Sequence, residues 1–304
     1  MSPHTSRRQF LRSALAVPLM SAGCGFGIRA AESFERTGPP RLRIGLAAYS
    51  FRDDFKAGPE GAPARMDMFR FLDYCATHDC DGAELTSYYF PEDLTDGYLA
   101  RVRRHAHLCG VTISGTAVGN DFCHPPGPKR GAEIAGVKLW IQRAAILGAP
   151  HIRVFAGGPH GQPLPVAKRL CIEALEECGD VAGRHGILLG LENHGGIVAE
   201  ADDLVDIIRS VKSPWVGINL DTGNFHTGDP YADLAKCAPY AVNVQFKGLM
   251  SRRGQRTPEP ANYGRVFQIF KDARYQGWVI LEYEMPEDPW ERVPVMLAAM
   301  RAHC

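Results

Sequence analysis

Gly186-Ile187-Leu188-Leu189-Gly190-Leu191-Glu192-Asn193-His194-Gly195-Gly196 is a short apolar run that stops in a carboxylate, an amide, an imidazole and two glycines. It has the length of a buried strand, and its polar residues gather where the strand ends. Two later stretches repeat the form. Trp215-Val216-Gly217-Ile218-Asn219-Leu220-Asp221 runs into Thr222-Gly223-Asn224, and Gly277-Trp278-Val279-Ile280-Leu281-Glu282 runs into Tyr283-Glu284. An acid at the end of an apolar strand three times over is hard to explain as packing. In a barrel of parallel strands the C-terminal strand ends form the face where chemistry is done.

The rest of the chain has the same rhythm. Strands are expected at 42–49, 81–86, 111–118 and 151–155 before the opening stretch, at 215–221 after it, then at 241–247 and 277–282. Helices are expected between and after them at 66–78, 96–109, 132–147, 165–185, 201–211, 230–237, 263–273 and 290–301. Eight strand–helix units in alternation imply an α/β fold, a closed (β/α)8 TIM barrel over 32–304, rather than an open sheet. No linker, repeat or low-complexity tract divides it. The default reading places Trp140, Trp215 and Trp278 in the core and His124 and His160 on surface loops. Trp290 falls near the barrel mouth.

Strand side chains alternate with period two. Glu192 then shares a face with His194, Asn219 with Asp221, Asn243 with Gln245 and Lys247, and Glu282 with Glu284. The inward set Glu192, Asp221, Gln245 and Glu282 is rich in oxygen donors. Three carboxylates that close repel unless a cation neutralises them or they take up protons. A divalent metal resolves this. Oxygen donors suit Mg²⁺ or Mn²⁺, with Co²⁺ or Zn²⁺ as alternatives that the shortage of imidazole disfavours. Taken singly, each acid could instead cap a helix. His194 reads equally as an acid or base and as a residue orienting Glu192. Lys247 reads as an oxyanion or hydroxyl contact, or as a partner for an acid. Glu84 and Arg153 line the pocket or balance each other.

The chain has 304 residues, 45% hydrophobic and 22% charged, with 34 basic and 34 acidic side chains. This is enough for a large core, and the charge balance lacks the footprint of a nucleic-acid partner. Ser6-Arg7-Arg8-Gln9-Phe10-Leu11-Arg12, followed by a short apolar run, resembles a twin-arginine export signal over 1–31. That run is too short to span a membrane. Export implies a periplasmic protein, free of the membrane once the signal is removed. Cys24 follows Ser21-Ala22-Gly23, a poor lipidation site. The eight later cysteines form no Cys-x-x-Cys pair and are expected as buried thiols; disulfides stay open, as does assembly into a homo-oligomer.

From residue 42 onward the chain resembles the sugar phosphate isomerase/epimerase superfamily of xylose isomerase-like barrels, most closely an exported branch. The motifs that carry this are Leu191-Glu192-Asn193-His194-Gly195-Gly196, Asn219-Leu220-Asp221-Thr222-Gly223-Asn224-Phe225 and Glu282-Tyr283-Glu284. The resemblance implies a metal held by Glu192, Asp221 and Glu282, with Gln245 where relatives have histidine. It implies proton transfer by Glu192 and Glu282. Asn224 stands where several relatives place a substrate-contacting histidine, and His226 lies two residues on. The expected activity is isomerisation or epimerisation of a small sugar or keto sugar, through proton abstraction beside a carbonyl. Rival readings are a lyase or hydratase acting on 3-keto sugars or glycosides, an AP-endonuclease-type phosphoesterase, and a sugar-binding barrel without catalysis.

Overall fold

The computed structural model describes residues 33–58 and 62–304. The expected signal at 1–31 lies outside them. Eight parallel strands close into a barrel: β1 (Arg41–Ala47), β2 (Gly82–Thr86), β3 (Thr112–Ala117), β4 (His151–Val154), β5 (Leu188–Glu192), β6 (Val216–Asp221), β7 (Ala241–Phe246) and β10 (Gln276–Leu281). The ring closes where β1 pairs with β10, with Leu46 opposite Leu281. A small antiparallel pair, β8 (Leu249–Met250) and β9 (Glu259–Pro260), follows β7 at the mouth.

The helices are α1 (Met68–Thr77), α2 (Asp96–Leu108), α3 (Pro128–Leu147), α4 (Leu164–Arg184), α5 (Ala201–Ser210), α6 (Pro230–Cys237), α7 (Tyr263–Asp272) and α8 (Pro289–Arg301). Their starts follow local chemistry. Asp67 accepts from the free N–H groups of Phe69 and Arg70, both at 2.9 Å, at the start of α1. Helix α5 buries Ala201, Leu204, Val205, Ile207 and Ile208, a stripe at helical spacing, and carries Asp202 and Asp203 in its first turn.

The strands are buried on both faces. Leu189, Leu191, Ile218, Leu220, Val244, Phe246, Val279 and Leu281 belong to the apolar layer beneath the helices. The alternate residues Glu192, Asn219, Asp221, Asn243, Gln245 and Glu282 are buried polar groups, which period two turns into the barrel. His151, two residues before Arg153, shares that inner face. Two glycines make room for it: a β-carbon on Gly190 would lie 2.4 Å from its Nε2, and one on Gly115 would lie 2.8 Å from its Nδ1.

Trp140 is core, and its indole N–H donates to Thr116 Oγ1 at 2.9 Å. Trp215 and Trp278, expected in the core, are only half-buried. They lie at strand starts, at the open lower end of the barrel, where Trp278 meets the Arg43 guanidinium at 5.4 Å. Trp290 lies in the first turn of α8, where its backbone N–H donates to the capping Asp288 at 2.9 Å and its indole N–H donates to Asp54 Oδ2 at 3.0 Å. The eight cysteines of the described residues are free, six of them buried, Cys109 partly so and Cys304 exposed. No helix among the described residues is long and apolar enough to cross a membrane.

Candidate active site

The ends of β4, β5, β6, β7 and β10 bring most of the expected residues together. Arg153 Nε lies 2.9 Å from Glu192 Oε2, a buried ion pair at 5% and 3% side-chain exposure. The contact is close but off the N–H axis, so Nε has no aligned acceptor. The other Glu192 oxygen accepts from Asn224 Nδ2 at 2.8 Å. Asn224 in turn accepts from Lys247 Nζ at 3.1 Å. Lys247 also lies 3.2 Å from Asp221 Oδ2 and 3.5 Å from Glu282 Oε1, and pairs with Glu284. Glu192, Asp221, Glu282, Asn224 and Lys247 are therefore one connected cluster.

Glu84 and Gln245 belong to a neighbouring set deeper in the barrel. Gln245 Nε2 donates to Glu84 Oε1 at 2.8 Å, and Gln245 Oε1 accepts from Asn219 Nδ2 at 2.7 Å. Asn243 donates to Glu84 Oε2 at 3.2 Å and to Asn219 Oδ1 at 2.8 Å. Both ends of the Gln245 amide are thus engaged, and one lone pair of Oε1 is left over.

His194 lies past the end of β5, with its ring 4.5 Å from that of Phe155. Together with Asn224 and the exposed His226 it lines a cleft of about 390 Å³ whose far wall carries Glu200 and Arg253. A smaller hollow of about 180 Å³ shares Asn224 and His226 and reaches Lys247 and Glu284. The cleft therefore opens beside the acidic cluster.

Burial sets the electrostatics. It pushes Glu192 up to about 8, with Arg153 opposing and Asp221 reinforcing the shift. It raises Asp221, against Lys247 and the Gly223 N–H, and raises Glu282 well above the carboxylate range. Burial works against the Lys247 charge, but Asp221, Glu282 and Glu284 outweigh it and hold the ammonium above its ordinary pKa. Burial, then Lys247 and Arg153, lowers His194 and keeps it neutral near pH 7.

The donor atoms of this set are all oxygen, the chemistry that suits a hard divalent cation. Glu192, Asp221, Glu282 and Glu284 are all acidic, and only Arg153 and Lys247 among the described residues pair with them. Asp221 Oδ2 is buried without an aligned donor. A divalent ion would remove the surplus negative charge that otherwise forces proton uptake.

Several contributors are not singled out by the sequence. Asn193 is fully buried: its Oδ1 accepts from the Asp221 N–H at 2.8 Å and its Nδ2 donates to the Asp221 carbonyl at 2.9 Å. Its place directly after Glu192 was the available signal. Phe155 stacks under the Arg153 guanidinium at 4.0 Å, and Arg253 pairs with Glu200 at the cleft rim. His124, expected on the surface, is buried against His160.

Comparison with known proteins agrees with this architecture. The sequence pattern of the xylose isomerase-like TIM barrel family matches residues 72–301, and the chain belongs to that family. The rhizopine catabolism protein MocC of Rhizobium meliloti is 29% identical over 189 residues, which are 51% of this chain and 57% of that protein. A putative hydroxypyruvate isomerase of Xenopus laevis is 23% identical over 216 residues, 64% of this chain and 78% of that one. The apo crystal structure of the 3-keto-D-glucoside 4-epimerase YcjR of E. coli superposes with a TM-score of 0.65 at 17% identity, covering 86% of this chain and all of that one.

Proposed function

We propose that this chain is a divalent-metal-dependent isomerase or epimerase that moves a proton beside the carbonyl of a small sugar or keto sugar. The observation that carries the reading is the surplus of buried carboxylates over cations at a mouth that opens into a sugar-sized cleft. Glu192, Asp221 and Glu282 would hold Mn²⁺ or Mg²⁺, with the remaining lone pair of Gln245 as the fourth donor. The bound ion would stabilise negative charge developing on the substrate oxygens.

Glu192 and Glu282 stand on different strands and serve as the two proton-transfer groups, one taking the proton and the other returning one. Arg153 and Asn224 fix the Glu192 carboxylate from two sides. Lys247 is a charged donor for a substrate oxygen. Neutral His194 accepts or relays a proton, and Asn224 and His226 present polar groups to sugar hydroxyls in the cleft. The names of the matched hydroxypyruvate isomerase and 3-keto-D-glucoside 4-epimerase support this class. The latter also supports a keto sugar or glycoside as substrate, on which the same first proton abstraction could end in elimination or hydration. The Ser6–Arg12 motif supports periplasmic action, and so an unphosphorylated substrate.

The test is hydrogen exchange in D₂O. Deuterium should enter keto sugars at the carbon beside the carbonyl, stop on chelation and resume on adding Mn²⁺ or Mg²⁺. Exchange that persists in Glu192→Gln or Glu282→Gln at the wild-type rate would overturn the two-glutamate mechanism.

A further inference from the structure

The loops after β3 and β4 bring together three side chains that the proposed reaction does not use. His160 Nε2 lies 2.7 Å from Asp121 Oδ2, and His124 Nε2 lies 3.9 Å from the same oxygen. The two imidazoles stack with ring centres 4.1 Å apart. One ligand atom from each of the three falls within 4.8 Å of the others.

A simple His–Asp ion pair does not explain this arrangement. One imidazole would satisfy the carboxylate, yet a second is buried against it. The carboxylate is also fixed from behind, where Oδ1 accepts from the Cys123 N–H at 2.9 Å and leaves Oδ2 facing the rings. His160 adopts φ +48°, a left-handed backbone that is uncommon for a residue with a β-carbon, and so brings its ring to Asp121. Gly157 has φ +96°, and a β-carbon there would lie 1.9 Å from Asp121 Oδ1. The loops are cross-tied by Phe122 N–H to the Ala156 carbonyl at 3.0 Å and by Gln162 Nε2 to the Cys123 carbonyl at 2.9 Å.

We propose that Asp121, His124 and His160 form a second cation site, for a transition metal of the zinc class, that clamps these two loops together. Two imidazole nitrogens and one carboxylate oxygen are a borderline-soft set that favours Zn²⁺ over Mg²⁺, in contrast to the all-oxygen set around Glu192. Three protein ligands leave a fourth position for water in a tetrahedral site.

The experiment is zinc uptake by the whole chain, measured by equilibrium dialysis and elemental analysis. Wild type should hold one zinc that His160→Ala, His124→Ala and Asp121→Asn each lose. Glu192→Gln should keep it, as should His105→Ala, which alters the exposed Asp73–His105 pair on the outer helices. His160 is one-third exposed, so its removal tests the site in a chain whose circular dichroism should match wild type. Gly157→Ala should lose the same zinc with all three ligands intact. Wild-type zinc content in both His160→Ala and Asp121→Asn would overturn the proposal, as would zinc lost only in Glu192→Gln.

Discussion

Two polar groups lie inside this barrel, one a short step deeper than the other, and they differ in kind. The deeper one, Glu84, Asn219, Asn243 and Gln245, is closed. Three amides surround one carboxylate, and their contacts run from 2.7 to 3.2 Å. The outer one, Glu192, Asp221, Glu282 and Glu284 with Arg153 and Lys247, is open. Its acids outnumber its cations, and its Arg153–Glu192 contact is off axis. A closed polar network spends its interactions within the protein and specifies one packing. An open one keeps unspent charge for something that binds. The two meet at one level of the barrel, since Asn219 of the closed group lies two residues before Asp221 of the open one, and Gln245 of the closed group pairs in register with Asp221.

Substitutions can break that division or sharpen it. The largest effect is expected at the open cluster. Glu192→Gln or Glu282→Gln should slow proton exchange by at least about 10³-fold while the barrel still folds, as measured by deuterium incorporation and circular dichroism. Arg153→Met should come next, because it strands the buried Glu192 carboxylate. A loss of about 3–5 kcal/mol is expected in urea unfolding of the metal-free protein at about pH 9, where Glu192 with its pKa of about 8 is ionised, and a change below about 1 kcal/mol there would mean that Glu192 does not depend on Arg153. Asn219→Ala opens the closed cluster and should cost about 1–3 kcal/mol, with turnover largely kept. Loss of turnover at unchanged stability would erase the distinction between the two groups.

The last effect shows only in acid and belongs to His151, which lies in neither group. Both its ring nitrogens are buried without partners, and burial, aided by Arg153, lowers its pKa to about 3. Native His151 is neutral, whereas the unfolded residue gains a proton below about 6.5. Its contribution is therefore complete above pH 6.5 and declines as pH falls toward 3, by up to about 1.4 kcal/mol per pH unit. His151→Leu should flatten that slope in unfolding measured across pH 4–7. An unchanged slope would assign acid sensitivity to other groups.

The barrel was legible because strands buried on both faces read as apolar runs, and because each run ends in polar residues. The first turn of α3 was hidden: Pro128 looks like part of a Pro/Gly loop, yet proline suits the first position of a helix. The β8–β9 pair has two-residue strands, too short to show alternation. Period two places Glu192, Asp221, Gln245 and Glu282 on the inward face, and all four are buried polar residues. It could not reveal partners, because register between strands is not written in either strand alone. So the Arg153–Glu192 pair, the engagement of Gln245 with Glu84 and Asn219, and the burial of His124 emerge only in three dimensions. Trp215 and Trp278 misled for a related reason: large apolar rings at strand starts look like core, but that end of the barrel meets solvent.

Asn193 has a mechanical consequence. Its side chain bonds both the N–H and the carbonyl of Asp221, standing in for the peptide group that one more residue of strand would supply. Glu192 and Asp221 are thereby riveted into one plate. The loop beginning at His194 hangs from the edge of that plate, and its glycines at 195 and 196 hold φ +67° and +56°. Those glycines turn the chain so that the Ile197 N–H meets the Gly157 carbonyl at 3.3 Å and Ile197 and Val198 enter the core, so the loop that presents His194 is pinned at both ends and the rivet's spacing extends to the imidazole.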